Sequence, residues 1–149
     1  FKEMSVNFLS YQEKIQEWAK QKGIYELSDE AHQQAKALEE IGEILTAKTA
    51  AEEMLEIGDV MVTIINCYYF RRGNFAVLSL GDSVEMTLSR VASNILRQDY
   101  NRAAAALYNY TEEKGYDFIE CLEGAYNKIQ NRTGVMVDGM FVKQETNDE

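Results

Sequence analysis

Residues 56–70 read EIGDVMVTIINCYYF and are the most informative stretch for the architecture. After Asp59 the stretch is apolar almost all round a helix, which is typical of a helix at the centre of a bundle. Its first turn carries the acidic pair Glu56 and Asp59. Carboxylates beside such an apolar segment are costly to bury unless a cation compensates them. The stretch therefore predicts a buried helix with a charged site or a surface at one end.

A second acidic pair precedes it, because residues 40–43 read EIGE. Each pair has i, i+3 spacing, so both carboxylates project from one helix face. A short connection around residues 48–50 lets the two helices form an antiparallel hairpin in which the pairs face each other. Four convergent carboxylates suit Mg²⁺, so metal-dependent phosphate chemistry is the leading hypothesis. The alternative for Glu39, Glu40 and Glu43 is an ordinary solvated helix face.

Two glycines occupy matching places in these pairs. Gly42 and Gly58 each stand directly before the last acid of their pair. Glycine inside a helix costs about 1 kcal/mol relative to alanine, so two at equivalent sites need a reason. They predict close backbone approach or access for a ligand.

Hydrophobic periodicity and capping residues predict an all-α bundle of about five to six helices, in a chain without proline. The predicted helices are 6–22, 28 or 29 to 48, 50–72, 82 or 83 onward, 100–114 and 117–132. The segment GVMVDGMFVKQ that follows predicts a turn and a short extended piece, an irregular C-terminal extension. We expect one domain over residues 1–143 and a polar tail over residues 144–149.

Net charge, the length of the apolar runs and the number of cysteines argue against several classes of function. The chain has 149 residues and a net charge of −10, which argues against non-specific binding of polymeric nucleic acid. The longest apolar run, residues 60–70, is too short to span a bilayer, so no membrane association is expected. The only cysteines, Cys67 and Cys121, belong to no CxxC pair, which favours a reducing compartment. We therefore expect a soluble, cytoplasmic protein.

Two separated segments resemble one known family. ALEEIGEI followed by EIGDVMVTIIN is similar to the paired ExxE and ExxD signature of MazG-like nucleotide pyrophosphohydrolases, and AYNKIQNRTGVMVDGMFVK resembles the ending of many of them. These enzymes belong to the all-α NTP pyrophosphatase superfamily, together with dimeric dUTPases and phosphoribosyl-ATP pyrophosphohydrolases. The resemblance implies a MazG-like helical domain that hydrolyses a nucleoside triphosphate to its monophosphate and pyrophosphate. Family members commonly form homodimers or homotetramers.

When the family's metal-binding positions are matched to this sequence, the resemblance implies that Mg²⁺ binds to Glu40, Glu43, Glu56 and Asp59. Mn²⁺ can substitute for Mg²⁺. Glu40 or Glu43 is the expected general base. Glu39 matches a position that is often acidic in the family and is a weaker metal candidate.

Cations near the C terminus are the expected phosphate contacts. Asn127, Lys128 and Arg132 lie in AYNKIQNR, and the two cations share a helix face at i, i+4. Lys143 can also reach the site. The alternative for Lys128 and Arg132 is a pair of helix-end cations favoured by the helix dipole.

Five further side chains have two interpretations each. Lys36 either contacts a phosphate or is an ordinary i, i+4 partner of Glu40. Asn66, two turns beyond Asp59, either reads a base or sugar edge or makes a satisfied core hydrogen bond. The same two interpretations, stacking on a base or packing in the core, apply to the aromatic side chains Trp18, Tyr68 and Tyr69.

Residues 71–116 depart from the short family pattern, because minimal members join the ExxD helix to the last helix by a short turn. Here a segment with two predicted helices, over residues 82–114, intervenes. Related pyrophosphohydrolases acting on dUTP, dCTP or phosphoribosyl-ATP are the nearest alternative function. A non-catalytic helical module that binds a basic partner is the alternative from another class.

Overall fold

The computed structural model describes residues 2–73, 77–81 and 85–144, and these form a mainly helical bundle. The helices within these ranges are α1 (Lys2–Gln21), α2 (Ile24–Leu27), α3 (Glu30–Thr46), α4 (Ala50–Arg72), α5 (Leu88–Leu96), α6 (Tyr100–Glu113) and α7 (Phe118–Gln130). Two strands, β1 (Gly134–Val137) and β2 (Met140–Lys143), follow them. The predicted all-α bundle is confirmed. No helix in the described ranges is long and apolar enough to cross a membrane.

Helix α4 is the centre of the bundle and packs against α1, α3, α6 and α7. Its side chains are buried without interruption from Val60 to Tyr68, on every side of the helix. This is the arrangement that an apolar helix requires, because no face of it can be left in water at low cost. Helices α5 and α6 pack against each other, and they also contact α3 and α4 respectively. The segment that interrupts the short family pattern therefore contributes to the same core.

Capping side chains explain where most helices begin. Asp29 caps α3, Thr49 caps α4 and Asp117 caps α7, each by accepting a hydrogen bond from a backbone N–H three residues on. The predicted limits of the α4 helix are confirmed, and those of α3 and α7 differ by one or two residues. Helix α1 begins earlier than expected, at residue 2.

The structure corrects the start of one predicted helix and adds one short helix. The start expected for the fourth helix at Asp82 or Ser83 lies outside the described residues, but residues 85–86 are not helical and Thr87 caps α5. Glu85 is instead held by two asparagines, since its carboxylate accepts from Asn94 and its carbonyl accepts from Asn109. The short α2 was not predicted, because a single turn is too short to establish a helical period.

The predicted turn of the C-terminal extension is present, but the extension is a regular antiparallel hairpin and not an irregular segment. Val137 pairs with Met140 across a two-residue turn. Asp138 and Gly139 have φ angles of 49° and 82°, as a type I′ turn requires. The Phe141 ring packs edge-on against Trp18 at a centroid distance of 6.0 Å. The hairpin thus forms a wall beside α1. Of the polar tail, only Gln144 lies within the described residues.

Candidate functional site

Helices α3 and α4 bring the two acidic pairs together. The helices are antiparallel and joined by residues 47–49, so Glu40 and Glu43 face the first turns of α4. One carboxylate oxygen each from Glu40, Glu43 and Glu56 lie within 4.8 Å of one another. Asp59, one turn further along α4, lies beside this group and lines the same cleft. All four predicted ligands thus line one cleft, and three of them, Glu40, Glu43 and Glu56, converge within it.

Two of these carboxylates each have one buried oxygen atom without a hydrogen-bond partner. Glu40 is 7% exposed, and its Oε2 atom has no hydrogen-bond partner among the described residues. The Oε2 atom of Glu56 is also buried and has no hydrogen-bond partner among the described residues. An unpaired buried carboxylate oxygen costs free energy in a folded protein, and a cation bound between the carboxylates would offset that cost.

Mutual repulsion and burial alter the acidity of the group. Burial, together with hydrogen bonds to Glu43 and Glu40, raises the pKa of Glu56 to about 8. Burial also raises the pKa of Glu40, and it raises that of Asp59 although Lys128 and Arg132 oppose it. The pKa of Glu43 is lowered, first by its hydrogen bond with Glu56. The carboxylates therefore share protons more readily than separate surface acids do.

The residues present fit a hard divalent cation. All the donors are carboxylate oxygens, which Mg²⁺ and Mn²⁺ prefer, and no histidine or cysteine belongs to the described cluster. The two unpartnered oxygens of Glu40 and Glu56 are available as ligands. Glu40, Glu43, Glu56 and Asp59 are the residues that could hold the ion.

Two lysines already contact the acidic group. Lys36 Nζ lies 3.2 Å from Glu40 Oε1 and 3.5 Å from Glu39 Oε1. Lys128 Nζ, reaching from α7, donates to Asp59 Oδ2 at 2.5 Å. The i, i+4 pairing considered for Lys36 is thus present, and Lys128 is more than a cation at a helix end.

These groups line one cleft with a volume of about 380 Å³. Its walls come from α1 to α4, α7 and the β hairpin, so it lies between the helical hairpin and the C-terminal segment. The predicted site residues that line it are Lys36, Glu40, Glu43, Glu56, Asp59, Asn66, Lys128, Arg132 and Lys143. Carboxylates and basic side chains therefore line one space that is large enough for a small ligand.

Two candidates are not brought into the cleft. Asn127 is exposed, and its side chain accepts a hydrogen bond from Gln130 at 3.3 Å. Glu39 is exposed and pairs with Lys36 at 3.5 Å, on the outer side of α3. Neither lines the cleft. Spacing alone does not separate them from their neighbours, because adjacent helical residues point about 100° apart.

Asn66 lies in the wall of the cleft and is also hydrogen-bonded. The Tyr25 hydroxyl donates to its Oδ1 at 2.7 Å, and its Nδ2 donates to Gln33 Oε1 at 3.5 Å. The alternative of a satisfied core hydrogen bond is therefore present in the structure. Gln33 lines the cleft too and was missed from sequence, although it lies seven residues before Glu40 and so on the same face.

Aromatic side chains form a further part of the wall. Trp18 is 9% exposed, and its indole N–H has no hydrogen-bond partner among the described residues. Phe141, which the sequence did not single out, packs against it and also lines the cleft. The fact that Trp18 and Phe141 are 123 residues apart in the chain explains why no local pattern reveals the pair.

The two glycines of the acidic pairs differ in role. A β-carbon on Gly58 would lie 2.2 Å from the Cys121 carbonyl oxygen and 2.6 Å from the Ala125 β-carbon. Gly58 therefore permits α4 to approach α7, which carries Lys128. At Gly42 nothing lies within 4 Å of an added β-carbon, so the predicted close approach is absent there.

Comparisons with known proteins identify no relative. No protein-family model matches the chain, and no curated protein and no solved structure matches it.

Proposed function

We propose that the protein hydrolyses a nucleoside triphosphate to the monophosphate and pyrophosphate in a reaction that requires Mg²⁺. The observation that carries the proposal is the cleft that Glu40, Glu43, Glu56 and Asp59 line together with basic side chains. A triphosphate bound through a divalent cation needs both kinds of group, because the cation cancels only part of its charge. The resemblance to MazG-like pyrophosphohydrolases supports the same reaction.

Each part of the site has a role in this proposal. Bound Mg²⁺ would neutralise phosphate charge and lower the pKa of a water molecule. Glu40 or Glu43 accepts a proton from a water molecule that attacks the α-phosphorus, and the α-phosphorus–oxygen bond to pyrophosphate breaks. Lys128 and Arg132 hold the β- and γ-phosphates and stabilise the charge that develops on the leaving group.

Other wall residues bind and orient the substrate. Lys36 and Lys143 line the cleft and add positive charge near the phosphates. Asn66 and Trp18 line the same cleft, and we assign them to contacts with the base or sugar. A homodimer or homotetramer stays a prediction.

Pyrophosphate release is the test of this function. The protein is incubated with a panel of NTPs, dNTPs and phosphoribosyl-ATP, in Mg²⁺ or in EDTA, and the products are resolved by phosphorus NMR. We expect monophosphate and pyrophosphate in equal amounts from at least one nucleotide, in Mg²⁺ only. Absence of metal-dependent release from every nucleotide contradicts the proposal and favours a non-catalytic module.

A further inference from the structure

The position of Lys128 in the free protein bears on how the site is loaded. Its ammonium group donates to Asp59 at 2.5 Å, and both side chains are largely buried, with exposed fractions of 29% and 14%. Partial burial strengthens such an ion pair, since less water screens it. Lys128 therefore neutralises Asp59, one of the four carboxylates that could hold a metal ion, through its Oδ2 atom.

The other carboxylates are arranged differently. Glu40, Glu43 and Glu56 are the three whose oxygens lie within 4.8 Å of one another, and Asp59 is not one of them. Among the described residues, Glu43 and Glu56 form no ion pair with a lysine or arginine, whereas Lys128 holds Asp59. Glu43 and Glu56 thus have no cationic partner among the described residues. Glu40 contacts Lys36 through Oε1 but keeps an unpartnered Oε2 atom, and Asp59 is held by Lys128.

Resting on the function proposed above, we infer that Lys128 is an exchangeable counter-ion that couples the binding of metal and polyphosphate. In the free protein it neutralises Asp59. When a divalent cation takes Asp59, the ammonium group is released and becomes available to an anion in the same cleft. Each ligand therefore binds more tightly when the other is present, and the coupling is reciprocal.

Metal affinity without nucleotide tests the first half of this exchange. Free Mn²⁺ is counted by electron paramagnetic resonance in titrations of the wild type, Lys128→Met and Arg132→Met. Arg132 is the matched control, because it lines the same cleft but bonds to no carboxylate in the described ranges. We expect Lys128→Met to bind Mn²⁺ more tightly by on the order of tenfold, and Arg132→Met to change much less.

Anion affinity without metal tests the second half. Inorganic triphosphate is titrated in EDTA into Asp59→Asn and Glu43→Gln, each of which removes one negative charge. Only Asp59→Asn releases Lys128 from its ion pair. We therefore expect the Asp59→Asn protein to bind triphosphate several-fold more tightly than the Glu43→Gln protein. Circular dichroism checks that both variants keep their helices.

The outcomes separate this inference from the proposed function. Equal Mn²⁺ affinities of the wild type and Lys128→Met, or equal effects of Lys128→Met and Arg132→Met, overturn the counter-ion role only. Equal triphosphate affinities of Asp59→Asn and Glu43→Gln also overturn the counter-ion role only. Failure of the wild type to bind Mn²⁺ overturns both the counter-ion role and the metal-dependent reaction.

Discussion

The carbonyl oxygen of Cys121 lies 2.2 Å from the place that a β-carbon on Gly58 would occupy. This closeness brings α4 and α7 together one residue before Asp59, and it sets the distance over which Lys128 reaches that carboxylate. The packing of α4 against α7 and the geometry of the cleft therefore both depend on the lack of a side chain at Gly58.

Substitution of the two glycines by alanine should have opposite effects on stability. Gly58→Ala forces α7 away from α4, and we expect it to lower the free energy of unfolding by about 1–3 kcal/mol. Gly42→Ala meets open space in an exposed helix position, and we expect a gain of about 0.5–1 kcal/mol. Urea unfolding of both variants measures the difference. Equal effects of the two substitutions would contradict the close approach at Gly58.

The stability of the metal-free protein should fall as the pH rises. Glu56 has a pKa of about 8 in the folded protein, above its ordinary value of 4.5. A raised pKa means that the folded state binds the proton more tightly, so this contribution is complete below about pH 4.5 and is lost as the pH rises through 8. Thermal unfolding in EDTA between pH 5 and pH 9 measures it.

Glu56→Gln is the control for that pH dependence. Because glutamine cannot ionise, the variant should lose less stability than the wild type between pH 5 and pH 9. Mg²⁺ should stabilise the wild type more at pH 8 than at pH 6, since protons compete with the metal at low pH. A wild-type protein in EDTA that is more stable at pH 8 than at pH 5.5 would show that the acidic cluster is not strained in this way.

Fluorescence of Trp18 should report occupation of the cleft. Trp18 is the only tryptophan of the chain and lines the cleft beside Phe141. We expect a non-hydrolysable nucleoside triphosphate with Mg²⁺ to change its emission, because a bound base alters the surroundings of the indole ring. Calorimetry on the same samples gives the binding curve. Binding without any change in emission would place the base elsewhere.

Local sequence patterns predict much of this fold, because helices are determined by nearby residues. Asp29, Thr49 and Asp117 are capping residues that stand before apolar periodic segments, and each caps the expected helix. Thr87 shows the limit of this reasoning, since several residues before α5 are equally good caps by type. Glu85, just before this cap, accepts hydrogen bonds from Asn94 and Asn109, and such tertiary contacts are not visible in a local pattern.

The parts of the candidate site that follow from the spacing of residues along a helix could be predicted from the sequence. The parts that depend on contacts between distant segments could not. The i, i+3 pairs and the short connection after Thr46 are enough to bring the carboxylates of α3 and α4 together. The bond between Lys128 and Asp59 joins residues 69 positions apart, and the position of Phe141 depends on how the hairpin folds back on α1. Such pairs follow from packing, which a helical period does not encode.

The acidic cluster is the central claim, and one pair of substitutions tests it most directly. Glu43→Gln and Glu39→Gln remove the same charge from neighbouring turns of α3, but only Glu43 lines the cleft. Pyrophosphate release from the preferred nucleotide is measured for both variants at saturating Mg²⁺, with circular dichroism to check folding.

We expect Glu43→Gln to lose activity by about 100-fold or more, because even residues that only support a metal ligand cost 10- to 100-fold when removed. Glu39→Gln should stay within about threefold of the wild type, as expected for an exposed surface pair. A folded Glu43→Gln variant that retains wild-type pyrophosphate release would contradict the assignment of this cluster as the metal site.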